Sequence, residues 1–177
     1  MLMVWDAEID QSEGSIRTPI NMCNHTYWNL SGNFKNKNIK GHRLELNCDH
    51  TVEMDENLIP TGQLEPVDDT PFDMRRGEFS RRVPFLTGMD RLDGAIDAGG
   101  EYGLDHQFVI NIEEGESGDG HLRECARLIH NKTGREMKVS TTQNCLVVYT
   151  SNFLPKAGED FDDGNHRKHA AVCLETS

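Results

Sequence analysis

The sequence predicts an all-β protein made of many short strands, and three observations support this fold class. No segment keeps its apolar residues at a sustained helical period. Short runs that alternate apolar and polar residues recur along the chain, and turn-forming Gly and Pro residues separate them. With 177 residues, no internal repeat and no shift in composition, the chain is expected to form one domain over residues 1–177.

Extended segments in the first half of the chain are predicted from alternating apolar residues and from the breakers between them. They are residues 1–10, 20–30, 44–48, 51–54 and 70–75. Thr18-Pro19 disfavours a helix before the second segment, and Ser31-Gly32 is predicted to be the turn after it. The tripeptide Pro60-Thr61-Gly62 is predicted to be a turn between two short apolar strands.

The second half of the chain contains the strongest strand signals. Residues 125–130 and 136–142 flank a Gly-containing turn, which predicts a β-hairpin. Residues 146–150 are the most strongly β-forming run. Further strands are predicted at 104–112 and 170–176, whereas 87–103, 113–120 and 152–168 are predicted to be loops.

Charge and cysteine content limit the classes of partner and the compartment. A formal net charge of −12 argues against a nucleic acid or an anionic membrane surface, because both would be repelled, but it is compatible with a neutral ligand. No basic-then-apolar leader opens the sequence, and no apolar run approaches the roughly 18 residues that a membrane span needs. Five widely spaced cysteines without a metal-ligand spacing indicate reduced thiols. We therefore expect a cytoplasmic protein.

Residues 21–32 concentrate polar and aromatic side chains in an otherwise dilute sequence. On a strand, alternate side chains share a face, so His25, Tyr27 and Asn29 are predicted to lie together. Histidine suits proton transfer because its unperturbed pKa is about 6.5. A hydrogen-bonded structural role for His25 is the alternative that this stretch alone leaves open.

Seven blocks of sequence form a recognisable series, at residues 18–32, 60–62, 70–73, 104–106, 141–143, 149–154 and 173–176. They occur in the order seen in aldose 1-epimerases, the galactose mutarotase family, which the chain resembles over almost its whole length. The resemblance implies a galactose mutarotase-like large β-sandwich. Because members of the family are close to twice this length, the 177 residues are expected to be an incomplete form that lacks the N-terminal portion and the C-terminal end of the pattern.

The resemblance also implies an activity and a set of site residues. The expected reaction is the interconversion of α and β anomers of free hexoses such as galactose and glucose, with no metal or organic cofactor. By position in the family pattern, His25 corresponds to the general acid and Glu175 to the general base. Tyr27, Asp105 and Gln143 correspond to residues that bind the sugar.

The chemistry explains why an acid and a base are needed. A hemiacetal ring opens when the C1 hydroxyl loses its proton while the ring oxygen gains one. We therefore expect His25 and Glu175 to flank a pyranose-sized hollow from opposite sides. Other roles remain for the separate residues, since Glu175 could end a strand, Asp105 could cap a turn and Gln143 could bond to the backbone.

Two further functions remain open from the sequence. One is a non-catalytic carbohydrate-binding or degenerate mutarotase-like domain. The other is a hexose-6-phosphate 1-epimerase relative, which needs basic residues for the phosphate. The local basic cluster that could supply them consists of Arg75, Arg76, Arg81 and Arg82.

Overall fold

The computed structural model describes residues 1–10, 14, 17–33, 38–75, 102–112, 120–156 and 167–177. Within these ranges there are strands and no helix, which confirms the all-β fold class, and none of the residues forms a helix that could cross a membrane. The strands are β1 (Tyr27–Trp28), β2 (His42–Leu46), β3 (Cys48–Met54), β4 (Pro60–Pro66), β5 (Asp105–Ile110), β6 (Arg123–His130), β7 (Arg135–Thr141), β8 (Cys145–Tyr149) and β9 (Val172–Thr176).

The strands form two sheets whose strand pairs are all antiparallel. The large sheet has six strands in the order β1-β9-β8-β5-β3-β4, and the small sheet has three in the order β2-β6-β7. Only Asn47 separates β2 from β3, so the chain passes from the small sheet to the large sheet within one residue. One sequence run from 44 to 48 therefore contributes to both sheets.

A single apolar core joins the two sheets. Alternate residues of β5, β8 and β9 point into it from the large sheet, and residues of β2 and β6 point into it from the small sheet. Fully buried members include Phe108, Leu146, Val148, Val172, Leu44 and Leu128. Because successive side chains of a strand alternate, the other face of the large sheet is left for polar groups.

The strand predictions for the second half of the chain agree with the structure. The predicted hairpin is β6–β7, and the runs at 104–112, 146–150 and 170–176 contain β5, β8 and β9. The burial of Phe108 and Ile110 agrees with the predicted apolar face, but Ile112 lies beyond the end of β5 and is half exposed. β-Branched residues and clear turn signals made these elements predictable from local sequence.

Predictions for the first half are wrong in several places, and of the predicted strand at 20–30 only Tyr27–Trp28 is a strand. Residues 1–10 form no strand, and Leu2 and Val4 are exposed, so the alternation there has no sheet to pack on. Pro60-Thr61-Gly62 lies inside β4 rather than in a turn. The turn comes earlier, at 55–59, where the Asp55 carboxylate accepts hydrogen bonds from the backbone N–H groups of Asn57 and Ile59.

The segment at 70–75 is also different from its prediction, because it forms turns and not an extended strand. Arg75 belongs to the basic cluster that could bind a phosphate. Its guanidinium instead contacts Asp68, Asp73 and Asp49 at 2.7, 2.8 and 3.3 Å. The described residues do not include the other three arginines of that cluster. They also leave out residues 87–101 of the loop predicted at 87–103 and residues 113–119 of the one predicted at 113–120.

Candidate active site

Strand register brings four side chains of the large sheet into one row. Tyr27 of β1 pairs with Cys173 of β9, Cys173 pairs with Tyr149 of β8, and Tyr149 pairs with Asp105 of β5. Neighbouring strands lie ~4.8 Å apart, so the row crosses four strands in about 14 Å. The row lies on the face opposite the core, because the alternate residues Val148, Val172 and Phe108 are the ones buried in the core.

The acid and base predicted from the sequence meet beside this row. The His25 Nε2 atom lies 3.3 Å from Glu175 Oε1, and the side chains are 50% and 12% exposed. Glu175 follows Cys173 by two residues and so projects from the same face of β9. The second carboxylate oxygen, Oε2, accepts a hydrogen bond from the Cys23 thiol at 3.5 Å. Glu175 therefore has partners from two alternate residues of the segment before β1.

Hydrogen bonds just after β1 fix the position of that segment. The Asn29 side chain donates to the Ala170 carbonyl at 2.7 Å, which ties the segment to the chain entering β9. The Leu30 N–H donates to His42 Nε2 at 2.8 Å. The Arg135 guanidinium donates to the Ser31 carbonyl at 3.0 Å. His25 is therefore carried by a segment bonded to both sheets.

The His42 ring is a neutral anchor in this arrangement. Its Nδ1 atom lies 3.1 Å from the Ile39 carbonyl, which can only accept, so Nδ1 carries the proton and Nε2 is free to accept from Leu30. Burial lowers the pKa of His42 to about 4, and the neighbouring His130 ring acts in the same direction. The ring is therefore uncharged at neutral pH.

An aromatic cluster lies next to the contact between His25 and Glu175. The His25 ring stacks on Tyr27 at a centroid distance of 5.2 Å and meets the edge of Tyr149 at 6.1 Å. Phe153 stacks on Tyr149 at a centroid distance of 6.2 Å, and its backbone N–H donates to the Tyr149 hydroxyl at 3.1 Å. Phe153 is half exposed, so the cluster presents an apolar aromatic surface to solvent close to the acid and base.

A buried polar network fixes the start of β5, where Asp105 lies. The Thr150 hydroxyl accepts from the Leu104 N–H at 2.8 Å and donates to Asn152 Oδ1 at 2.7 Å, while the Asn152 amide donates to the Leu104 carbonyl at 2.9 Å. Gly103 precedes it with φ of +126°, and a Cβ atom there would overlap Asn152 Oδ1 and Thr150 Oγ1. The network therefore requires glycine at this position.

Burial keeps the phenol and thiol groups of the site protonated. It raises the pKa of Tyr149 to about 12, with the charges of Tyr27 and Asp105 acting in the same direction. It likewise raises the pKa of Cys173 to about 12, helped by Glu175 and then Asp105. The pKa of Cys23 is raised by burial and by its bond to Glu175. These groups are neutral donors at physiological pH.

The structure brings four of the five predicted site residues to one face. His25 and Glu175 are in contact, and Tyr27 and Asp105 lie in the row across β1, β9, β8 and β5. Gln143 lies apart, exposed in the turn between β7 and β8 and four residues before Val147, the partner of Glu175. That separation corresponds to ~13 Å along an extended chain.

The acid and base differ from their prediction in one respect. They face the same surface, as expected, but they contact each other directly instead of standing on opposite flanks of a hollow. The segment before β1 runs along β9, so alternate residues of the two meet side by side. A ligand that uses both groups must therefore separate them.

Sequence reasoning missed four residues of this site: Cys23, Tyr149, Phe153 and Cys173. Tyr149 and Phe153 lie in one of the recognised sequence blocks, but the pattern assigned them no contact. Cys173 precedes Glu175 by two residues on the same strand, so their side chains share a face. This spacing could have identified Cys173 from the sequence. A ring nitrogen of His25, the Cys173 sulfur and a Glu175 oxygen all lie within 4.8 Å of one another.

Comparisons with known proteins agree with one another. The family model described as aldose 1-epimerase matches residues 8–177. Human galactose mutarotase is 34% identical over 166 residues, which are 94% of this chain and 43% of the human protein. The aldose 1-epimerase of Haemophilus influenzae is 30% identical over 160 residues, 90% of this chain and 42% of that protein. The chain thus spans less than half the length of these curated relatives.

Solved structures show the same likeness in three dimensions. An aldose epimerase homologue from C. elegans superposes with a TM-score of 0.59 and 28% identity, over 87% of this chain and 40% of that one. The galactose 1-epimerase of Lactobacillus acidophilus NCFM gives a TM-score of 0.61 at 22% identity, over 87% of this chain and 39% of that one, which is a likeness of fold. Both confirm a galactose mutarotase-like arrangement of strands.

Proposed function

The chain belongs to the aldose 1-epimerase family, and from this membership we propose that it interconverts the α and β anomers of a free aldohexose such as galactose or glucose. The observation that carries the proposal is the contact between His25 and Glu175, two groups 150 residues apart in sequence that meet on one exposed face. A neutral sugar is compatible with a net charge of −12, which would repel anionic ligands.

The proposed reaction is a pair of coupled proton transfers. The Glu175 carboxylate takes the proton of the C1 hydroxyl, and the protonated His25 ring gives a proton to the ring oxygen. The bond between C1 and the ring oxygen breaks, which leaves an open-chain aldehyde. Rotation about the C1–C2 bond turns the other face of the carbonyl to the hydroxyl, and closure with the proton transfers reversed gives the other anomer and restores both side chains.

The geometry allows the two groups to act side by side. The C1 hydroxyl and the ring oxygen are bonded to the same carbon atom, so a base and an acid on one surface can reach both. For this the 3.3 Å contact has to open until each group is within hydrogen-bond distance of its own sugar oxygen. His25 is half exposed and precedes β1, so its side chain is the one that we expect to move.

Neighbouring residues supply the means to hold the sugar. Asp105 and Tyr27 lie on the same face and offer a carboxylate and a phenol to sugar hydroxyls. The exposed Phe153 ring, stacked on Tyr149, offers an apolar surface to the C–H face of a pyranose. Gln143 is expected to contact the sugar only if the turn between β7 and β8 approaches the row.

Observations on Arg75 and on the cysteines refine the proposal. Arg75 is the one arginine of the basic cluster within the described residues, and its contacts with three aspartates leave no free guanidinium for a sugar phosphate. All five cysteines are free in the structure. Free thiols persist in a reducing compartment, which supports a cytoplasmic location.

A binding-only domain is the second candidate, since the two side chains act on a bound sugar only if their 3.3 Å contact opens. Polarimetry separates the two candidates when fresh α-galactose or α-glucose is followed with and without the 177-residue chain, and calorimetry measures binding of the same sugars. An epimerase accelerates the approach to rotational equilibrium in proportion to protein concentration. If the chain binds galactose but mutarotation is no faster than in buffer, the chain is a binding domain and not an epimerase.

A further inference from the structure

The His25–Cys173–Glu175 cluster has the composition of a metal site as well as of an acid–base pair. Its three residues offer an imidazole nitrogen, a sulfur and a carboxylate oxygen, with all three atoms within 4.8 Å of one another. The nitrogen–oxygen distance is 3.3 Å. Cys173 is buried and Glu175 nearly so, whereas His25 is half exposed and closes the cluster from the solvent side.

These separations are close to those of a tetrahedral zinc site. Zinc binds nitrogen and oxygen at about 2.0–2.2 Å and sulfur at about 2.3 Å, so neighbouring ligand atoms lie roughly 3.3–3.8 Å apart. One distance in the cluster is already at that value. The others are at most 4.8 Å and require a contraction of at most about 1.5 Å, which rotation of the His25 and Glu175 side chains can supply.

We propose that His25, Cys173 and Glu175 bind a thiophilic divalent cation such as Zn²⁺, with the fourth coordination position open to solvent. Sulfur and imidazole ligands select zinc-like ions over Mg²⁺ or Ca²⁺, which prefer oxygen. Cys173 binds as the thiolate, and its proton passes to solvent on coordination. The Cys23 thiol, bonded to the second oxygen of Glu175, orients the carboxylate from outside the coordination sphere.

The bound cation is an inhibitor and not a participant in the sugar chemistry. It occupies both the nitrogen that donates the proton and the oxygen that accepts it, so neither group can act on a hemiacetal. This consequence, unlike the binding itself, rests on the proposed function. A metal-loaded chain is therefore expected to have no epimerase activity, and removal of the metal by a chelator restores it.

Cobalt(II) is the probe for the site, because a thiolate bound to Co²⁺ gives a charge-transfer band in the near ultraviolet. The metal-free, reduced 177-residue chain is titrated with CoCl₂. We expect a band that saturates at one equivalent and disappears when ZnCl₂ is added. Cys173→Ser is expected to abolish the band. Cys145→Ser removes a partly buried thiol on the face of β8 that also carries Tyr149, and it is expected to leave the band unchanged.

His25→Gln provides a second variant whose folding is not at risk, since the side chain is half exposed. Loss of its nitrogen should weaken Co²⁺ binding at least tenfold. Absence of the band in the wild type, or a band that survives both Cys173→Ser and His25→Gln, would overturn the proposal. The absorption measurement needs no turnover, so a chain that binds Co²⁺ without epimerising galactose upholds the metal site and contradicts the enzyme.

Discussion

Glu175 is the residue on which the contacts of the site converge. Its two oxygens are each engaged, one by His25 and one by Cys23, and it lies two residues from the buried Cys173. Because only 12% of its side chain is exposed, water competes weakly for the carboxylate. A half-exposed imidazole beside a nearly buried carboxylate makes His25 the partner that can leave and Glu175 the one that stays.

Tyr149 holds the aromatic surface in place through its hydroxyl. In Tyr149→Phe the Phe153 N–H loses its acceptor, so we expect a loss of about 1 kcal/mol in the free energy of unfolding, measured by urea denaturation. Tyr102→Phe, at an exposed tyrosine, serves as the control and should change stability by less than about 0.5 kcal/mol. Equal effects of the two variants would show that the hydroxyl bond contributes nothing specific.

Gly103 is required by its φ and by its neighbours, and a second glycine separates the two effects. Gly62 also has a positive φ but no atom within 4 Å of an added Cβ. Backbone strain of about 1–3 kcal/mol applies to both alanine variants. Gly103→Ala should lose about 1–3 kcal/mol more than Gly62→Ala in urea unfolding, because its Cβ overlaps Thr150 and Asn152. Equal losses of unfolding free energy in the two variants would show that the network of Thr150 and Asn152 does not require glycine at position 103.

At the scale of elements, the segment after β1 decides where His25 lies. β1 has only two residues and pairs with β9 at the edge of the large sheet, so its ladder alone positions the segment weakly. Bonds from Asn29 to Ala170 and from Leu30 to His42 provide the remaining restraint. The small sheet therefore acts on the site through the His42 side chain of β2, which anchors this segment.

The His42 anchor makes stability depend on pH. Its pKa falls from 6.5 in the unfolded chain to about 4 in the folded protein, so between these values only the unfolded state gains the proton. The free energy of unfolding should therefore decrease as pH falls from 6.5 to about 4. The total contribution of His42 to this decrease is ~3 kcal/mol. His42→Gln should show a shallower decrease in unfolding free energy between pH 7 and pH 5.

The control for that comparison is His50→Gln, since His50 is exposed on β3. Its pH dependence should match that of the wild type. If the wild type and His42→Gln lose stability in parallel as pH falls, the anchor does not titrate in this way. Both slopes come from urea unfolding at matched ionic strength, which keeps surface electrostatics comparable.

Local sequence predicted the elements in which turn chemistry and β-propensity agree. The β6–β7 hairpin and the runs containing β8 and β9 have both signals. The turn at 60–62 was misplaced because Pro and Gly can also lie in an edge strand, and β4 is at the edge of the large sheet. The alternation of side chains along a strand predicted that His25 and Tyr27 share a face. The contact of His25 with Glu175 depends on the pairing of β1 with β9, which no local sequence pattern specifies.

At the scale of the whole molecule, two antiparallel sheets share one core and leave the outer face of the large sheet for chemistry. The chain spans about 43% of the length of human galactose mutarotase, and within that part it brings the proposed acid, the proposed base and two sugar-binding candidates to one surface. The family resemblance identified these residues, and the sheet register explains why they meet. The remaining candidate, Gln143, lies exposed in the turn before β8, at the end of that strand opposite Tyr149.

The rate of α-galactose mutarotation catalysed by Glu175→Gln, compared with the wild-type chain, tests the central claim most directly. Loss of a general base should lower kcat by about 10²- to 10⁴-fold, with galactose binding changed only a few-fold. Glu65→Gln, at an exposed glutamate on β4, should keep the wild-type rate. Wild-type turnover by Glu175→Gln, or a wild-type chain no faster than buffer, would contradict the account.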